Sequence, residues 1–165
     1  MSASTGPQSS TAADGPGLDS PSGAPVSPAL RMARWSSRLA SLSDPQSRLA
    51  HLVEAARRQV PLPATDRLES HRVQGCLVRT WWIASWHDGR CWFRTDSDAM
   101  TLKCLAGAIA ELASGGTPDE ILVLDFSPFD SLGLLRQLAE NRQRTLRNLM
   151  SATKEFAERS AGRSP

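Results

Sequence analysis

The chain of 165 residues is long enough for one domain of ordinary size, and its 40% of hydrophobic residues suffices for a packed core. The net charge of +2 is too small to indicate a nucleic-acid-binding protein, and no apolar stretch approaches the ~18 residues of a membrane-spanning helix. The three cysteines are an odd number without pairing spacing, which favours free thiols over a disulfide framework. We therefore expect a cytoplasmic protein that binds neither nucleic acid nor membrane.

The first part of the chain differs in composition from the rest. Residues 1–29 are dominated by Ser, Gly, Pro and Ala, and only Asp14 and Asp19 are charged. Such a segment buries too little apolar surface to offset the entropy lost on ordering, so it is predicted to be a disordered tail. The folded domain is predicted over residues 30–160, followed by a short C-terminal tail at 161–165.

Two helices are predicted at the start of the domain. The first covers residues 29–41, and the second begins at Pro45, whose missing N–H does no harm in a first turn. Asp44 is expected to cap this second helix through its carboxylate. The apolar residues of the second helix follow the spacing of one buried face: Leu49, Leu52, Val53, Ala56 and Val60.

An antiparallel pair of strands is predicted in the middle of the chain. Residues 72–86 and 90–95 are rich in Val, Trp, Ile and Phe, and Asp88-Gly89 between them is a strong hairpin-turn signal. Cys76 follows Gly75 near the start of the first strand. Because glycine lets the backbone bend, this pair suits a thiol on a loop tip that rests against the sheet. A small buried hydrophobe is the alternative interpretation of Cys76.

The second half is predicted to be helical. Asp96 or Asp98 is expected to cap a helix that ends at Gly115-Gly116, and the motif "TPDE" at 117–120 is typical of a capping box. A last helix is predicted over about residues 140–160. The order of elements indicates an α+β fold, with helices packed on one face of a small antiparallel sheet.

Several segments resemble the SufE/CsdE family of sulfur acceptors in iron–sulfur cluster assembly. They are "VQGCLVRTWW" at 73–82 and "DSDA" at 96–99, with further similarity in "TPDEILVLDF" at 117–126 and "NRQRTLRNLM" at 141–150. The resemblance extends over about residues 30–160. It implies a SufE/NifU-like fold.

The resemblance also implies a function. Family members take sulfur from a persulfide on a PLP-dependent cysteine desulfurase of the SufS/CsdA type, stimulate that enzyme, and pass the sulfur to a scaffold complex of the SufBCD type. In this chain the implied acceptor is Cys76, supported by Gly75, Asp96 and Asp98. Arg142 matches the family's arginine near the cysteine loop and would favour the thiolate. The protein would be a monomer or weak homodimer, not itself an enzyme, with no cofactor of its own, since PLP belongs to the desulfurase.

Four positions depart from the pattern of the family that the chain resembles. Val78 stands where serine is common, Cys104 and Thr145 where glycine is common, and His71 where asparagine is common. None of these departures removes the acceptor cysteine. They indicate a divergent member of the family.

Two other functions are open at this stage. A metal- or cluster-binding scaffold would use Cys76, Cys91, Cys104 and Asp96, although cysteine spacings of 15 and 13 residues (76 to 91 to 104) contain no CxxC pair. A cysteine hydrolase would pair Cys76 with His71, but the sequence has no oxyanion-hole motif or third orienting group. Cys91 and Cys104 are otherwise expected to be core thiols.

Overall fold

The computed structural model describes residues 25–163, and the fold over this range is α+β, as predicted. Within it, a two-stranded antiparallel sheet lies in the middle of the chain, between two helices before it and four after it. The elements are α1 Pro28–Ala40, α2 Pro45–Ala56, β1 Thr80–His87, β2 Arg90–Ser97, α3 Met100–Ala113, α4 Pro118–Leu122, α5 Pro128–Ser131 and α6 Glu140–Ala161.

Residues 1–24 of the predicted N-terminal tail (1–29) lie outside the described residues. The first helix begins at Pro28, two residues before the predicted start of the domain. Residues 164–165 of the predicted C-terminal tail are also outside the described range. Within residues 25–163, no helix has both the length and the apolar character needed to cross a bilayer.

The hairpin turn at Asp88-Gly89 is confirmed. Both residues have positive φ, 54° and 72°, as a tight turn matching the twist of the strands requires. The strands pair from His87 opposite Arg90 to Thr80 opposite Ser97. This register brings the first residue of β1 beside the last residue of β2.

The predicted extent of the first strand is wrong. It begins at Thr80 and not at residue 72, because the chain from 73 to 79 forms a loop instead of extended sheet. The N–H of Val73 donates to the carbonyl of Thr80 at 2.8 Å, and Gly75 has a φ of +73° inside the loop. A positive φ turns the backbone away from the extended path that a strand needs.

Helix α3 is the centre of the hydrophobic core. Most of its residues are buried, and α1, α2, α6 and β2 pack around it. The chain after α3 turns at Gly115, whose φ is +78°, and pairs with β2 on the edge that β1 does not occupy. The N–H of Cys91 donates to the carbonyl of Gly116 at 2.9 Å, and the carbonyl of Cys91 accepts from the N–H of Gly115 at 2.8 Å.

The predicted helix starts are confirmed at two places. Asp44 caps α2 by accepting from the N–H of Ser47 at 2.8 Å, and the hydrogen bonds from Ser47 lower the pKa of this carboxylate. Thr117 and Glu120 form the reciprocal hydrogen bonds of a capping box at α4. Val60, however, was expected on the buried face of α2 and is 93% exposed, because α2 ends at Ala56.

Asp96 does not cap a helix, contrary to the prediction, and connects separate parts of the fold instead. Its side chain is 2% exposed and accepts from the N–H of Leu62 at 2.9 Å and from Arg67 at 2.6 Å. Lys103 of α3 lies 3.6 Å from the other carboxylate oxygen, and the N–H of Ser97 donates to that oxygen at 2.8 Å. The segment before β1, the end of β2 and the first turns of α3 therefore meet at one carboxylate.

The partners of Asp96 decide its ionisation. Burial alone would raise the pKa of this carboxyl, but the N–H groups of Ser97 and Leu62 and the charges of Lys103 and Arg67 outweigh burial, so the pKa is lowered. Asp96 is therefore ionised in the folded protein down to a lower pH than in the unfolded chain. The corresponding stability is fully present above about pH 4, the unfolded value, and is lost as the pH falls through the folded value.

Replacing this carboxylate should destabilise the protein in a pH-dependent way. We expect Asp96→Asn to lower the free energy of unfolding by about 2–3 kcal/mol at pH 7, because two cations lose the anion that they share. The difference from wild type should shrink below about pH 4, where the wild-type carboxylate itself becomes protonated. Urea unfolding at pH 7 and pH 3 measures both quantities.

The matched control is Asp130→Asn. Asp130 pairs with Arg147 at 2.9 Å, but both side chains are about half exposed. Solvent-exposed pairs contribute little, so this change should cost less than about 1 kcal/mol. Equal losses in the two variants, or an Asp96→Asn deficit as large at pH 3 as at pH 7, would contradict the role assigned to Asp96.

Candidate functional site

The loop from Val73 to Thr80 presents Cys76 at one end of the hairpin. The loop is closed by the hydrogen bond between Val73 and Thr80, and Arg72 pairs with Trp81 as an isolated bridge just outside it. Gly75 precedes the cysteine with positive φ, a conformation that other residues adopt only with strain. The predicted arrangement of Gly75 and Cys76 on a loop tip against the sheet agrees with this geometry.

The thiol of Cys76 is half-buried, while the next residue extends into solvent. Cys76, Val73 and Val78 pack against the hydrophobic core, whereas Leu77 is 82% exposed. The sulfur atom lies 3.6 Å from the hydroxyl oxygen of Thr80. Cys76 is thus held against the protein while remaining partly exposed to solvent.

The segment Asp96–Asp98 holds the C-terminal end of this loop. Asp98 accepts from Nε of Arg79 at 2.7 Å, and its N–H donates to the carbonyl of Arg79 at 3.0 Å. Asp98 is therefore not the helix cap that the sequence predicted. The hydroxyl of Ser97 lies 2.9 Å from that of Thr80, which is completely buried.

Cys91 and Cys104 are core thiols, as predicted. Cys91 is 0% exposed and Cys104 is 4% exposed. Burial raises the pKa of both, and that of Cys104 reaches about 12, although Ser160 and Arg163 partly counteract the effect at Cys91. Both cysteines therefore remain neutral thiols, largely shielded from solvent, at physiological pH.

The metal-scaffold hypothesis does not agree with this arrangement. Over residues 25–163, no three side chains of His, Cys, Asp or Glu come close enough together to hold a metal ion. The proposed ligands Cys91 and Cys104 are buried in the core, and Asp96 is already paired with Arg67 and Lys103. The structure therefore does not bring the four predicted ligands together.

The hydrolase hypothesis required a contact between Cys76 and His71. In the described part of the chain, Nδ1 of His71 instead lies 3.0 Å from the carbonyl oxygen of Asp66, and the thiol contacts the hydroxyl of Thr80. A carbonyl oxygen only accepts, so Nδ1 carries the hydrogen in this contact. His71 is thereby oriented as a structural residue of the segment before the loop.

Arg142 lies at the start of α6 and contacts the start of α3. Its guanidinium donates to the hydroxyl of Thr101 at 2.9 Å, in the first turn after the Asp96–Asp98 segment. Arg142 therefore joins α6 to the first turn of α3, which directly follows the segment that holds the cysteine loop. A direct effect of Arg142 on the thiolate stays a prediction.

Sequence reasoning missed the hydroxyl that contacts the thiol and the second hydroxyl bonded to it. Thr80 and Ser97 were not singled out, although both lie in quoted motifs and face each other across the hairpin. The signal was the turn at Asp88-Gly89, since counting outward from it pairs residue 80 with residue 97. Arg79, the partner of Asp98, was missed because an exposed arginine in a strand pattern carries no specific signal.

Comparison with known proteins identifies the family. The model of the SufE "Fe-S metabolism associated domain" matches residues 33–157. An uncharacterized SufE-like protein of Synechocystis is 28% identical over 117 residues, which cover 70% of this chain and 74% of the relative. The chloroplastic SufE-like protein 2 of Arabidopsis thaliana is 29% identical over 106 residues, covering 64% of this chain and 40% of the relative.

Two further similarities concern a part of a larger protein and the fold. The chloroplastic quinolinate synthase of Nicotiana tabacum is 29% identical over 119 residues, which are 69% of this chain but only 16% of that protein. The solution structure of a hypothetical protein from Thermus thermophilus has the same fold, with a TM-score of 0.64 and 24% identity over 84% of this chain and 99% of the other. Because the family model covers most of the described residues, the chain belongs to the SufE family of domains associated with iron–sulfur metabolism.

Proposed function

We propose that this protein accepts and carries sulfur for iron–sulfur cluster assembly, with Cys76 as the acceptor. The observation on which the proposal rests is the selective exposure of one thiol. All three cysteines of the chain lie in the described residues, and Cys91 and Cys104 are buried whereas Cys76 is partly open on a loop. Membership of the SufE family supports a role in iron–sulfur metabolism.

The proposed donor is a PLP-dependent cysteine desulfurase of the SufS/CsdA type. The thiolate of Cys76 attacks the outer sulfur of the persulfide on the donor's cysteine. The donor's S–S bond breaks, its electron pair leaves with the donor's sulfur as a thiolate, and Cys76 becomes a persulfide. The exchange is neutral in redox terms and requires no metal or cofactor on this chain. Removing the persulfide from the desulfurase would also stimulate its turnover.

The proposed recipient is an iron–sulfur scaffold complex of the SufBCD type. A thiolate of the recipient attacks the outer sulfur on Cys76, and the same bond changes return Cys76 to its thiolate. The loop suits both encounters because its tip protrudes while its two ends are fixed. Leu77, at 82% exposure, offers a small apolar contact beside the reacting sulfur.

Sulfur uptake should depend on Cys76 alone. After incubation with a cysteine desulfurase and cysteine, we expect intact-mass analysis to find the wild-type chain heavier by one sulfur atom. Cys76→Ser should abolish this addition, because its hydroxyl is a poor nucleophile toward a persulfide sulfur.

The matched control for sulfur uptake is Cys104→Ala, which removes a buried thiol. This variant should still gain one sulfur, since Cys104 is only 4% exposed and its high pKa keeps the thiol protonated. A sulfur adduct on Cys76→Ser, or its loss in a folded Cys104→Ala variant, would contradict the assignment of the acceptor.

Thiol accessibility tests the same proposal without a partner protein. We expect iodoacetamide to modify one thiol quickly in the native protein and all three in denaturant. The two slow thiols should react at a rate limited by opening of the core, because both are buried and protonated. Mass spectrometry of the native sample should find the fast adduct on Cys76, and two fast adducts would contradict the burial of Cys91 and Cys104.

A further inference from the structure

A short chain of hydroxyl groups connects Cys76 to the first backbone amide before α3. The hydroxyl oxygen of Thr80 lies 3.6 Å from the sulfur of Cys76 and 2.9 Å from the hydroxyl oxygen of Ser97. The N–H of Ala99 donates to the same Ser97 oxygen at 3.2 Å. Thr80 is 0% exposed and Ser97 is 8% exposed, so water does not replace these contacts freely.

Each hydroxyl has one hydrogen and an alternative acceptor for it. The hydroxyl of Thr80 also lies 3.2 Å from the carbonyl of Val78, and that of Ser97 lies 3.3 Å from the carbonyl of Arg79. Two complete hydrogen-bond patterns therefore exist without movement of the backbone. Because a thiol can donate a hydrogen bond and a thiolate can only accept one, the two patterns suit different protonation states of Cys76.

The two patterns correspond to the two states of the sulfur. In one pattern, Cys76 donates to Thr80, which donates to the carbonyl of Val78. In the other, Thr80 points its hydrogen at the sulfur and accepts one from Ser97, an arrangement that suits a thiolate, which only accepts. The N–H of Ala99 donates to Ser97 in both patterns, so the hydrogen of Ser97 can go either to the carbonyl of Arg79 or to Thr80.

We propose that Thr80 is a positioning residue that stabilises the thiolate of Cys76, with Ser97 as its relay partner. The same hydroxyl contact fixes the position of the sulfur at the loop tip. The inference deepens the proposed function, and its relevance to sulfur transfer depends on that function. The effect of Thr80 on the thiolate does not depend on that function, because the reactivity of Cys76 is measurable without a desulfurase.

Charged side chains around the loop are already engaged with one another. Arg79 is paired with Asp98, Lys103 with Asp96 and Arg72 with Glu69, while Arg142 donates to Thr101. None of these groups is altered by a change at Thr80. A difference in the pH profile of Thr80 variants therefore reports on the hydroxyl itself.

The test is the pH dependence of Cys76 alkylation by iodoacetamide. Thr80→Val keeps the shape of the buried side chain and removes the hydroxyl. We expect the pH midpoint of alkylation to rise and the rate at pH 7 to fall about three- to tenfold, since a hydrogen bond to an ionised group is lost. Thr80→Ser, which keeps the hydroxyl, should restore most of the rate, and persulfide uptake should follow the same order.

The control is Thr95→Val, on the same face of the hairpin. The hydroxyl of Thr95 donates to the carbonyl of Trp81 at 2.7 Å, so this change also removes a threonine hydroxyl from the hairpin, but one that does not contact Cys76. The pH midpoint of Cys76 alkylation in Thr95→Val should equal that of the wild-type protein. Thermal unfolding of all three variants identifies any that fail to fold. Ser97→Ala then provides a second test, in which the pH midpoint of Cys76 alkylation should rise by less than in Thr80→Val.

Three outcomes separate the hypotheses. A raised midpoint in Thr80→Val but not in Thr80→Ser or Thr95→Val supports the role of Thr80. A folded Thr80→Val variant with the wild-type midpoint overturns it. The two proposals can also fail separately. If the pH midpoint of alkylation rises in Thr80→Val but neither the wild-type protein nor the Thr80 variants accept sulfur, the inference about the thiolate stands. The proposed sulfur-acceptor function then fails.

Discussion

The ionised carboxylate of Asp96 is the constraint on which the geometry around Cys76 depends. It is buried, yet it stays charged because Arg67, Lys103 and two backbone N–H groups surround it. The residues that follow it, Ser97 and Asp98, are thereby fixed in position. They in turn hold the end of the cysteine loop through the Ser97 hydroxyl, the Asp98–Arg79 ion pair and the Asp98 backbone N–H. A polar centre inside the fold thus determines where a surface thiol stands.

Burial explains how one thiol of three becomes available for exchange chemistry. Cys91 and Cys104 are small hydrophobic residues of the core, and desolvation keeps them protonated. Cys76 escapes this environment because it lies on the loop before β1, where the backbone turns at Gly75. The hydrogen bond between Val73 and Thr80 and the Asp98–Arg79 pair hold the two ends of that loop, so the sulfur has a fixed direction. A protein that exchanges sulfur with two partners requires both properties, access and fixed direction.

Features that depend on neighbouring residues could be predicted from the sequence, and features that depend on distant partners could not. The hairpin turn, two helix caps and the α+β class follow from side chains within a few positions of each other. Asp96 was misassigned as a helix cap because Arg67 and Leu62, about thirty residues earlier, hold its carboxylate. The start of β1 was placed too early, since strand-forming composition does not reveal the loop that Val73 closes. The contact of Thr80 with Ser97 was within reach of the sequence, because the turn sets the register.

The central claim is that sulfur passes through Cys76, and peptide mapping of transferred sulfur tests it most directly. Trypsin places the three cysteines in three different peptides, and the one from Val73 to Arg79 contains Cys76 alone. Radioactive sulfur from labelled cysteine, delivered by a cysteine desulfurase and trapped by alkylation, should appear in this peptide and disappear on reduction before trapping. Label in the peptide of Cys91 or Cys104, or none on any peptide while the desulfurase turns over, would contradict the account.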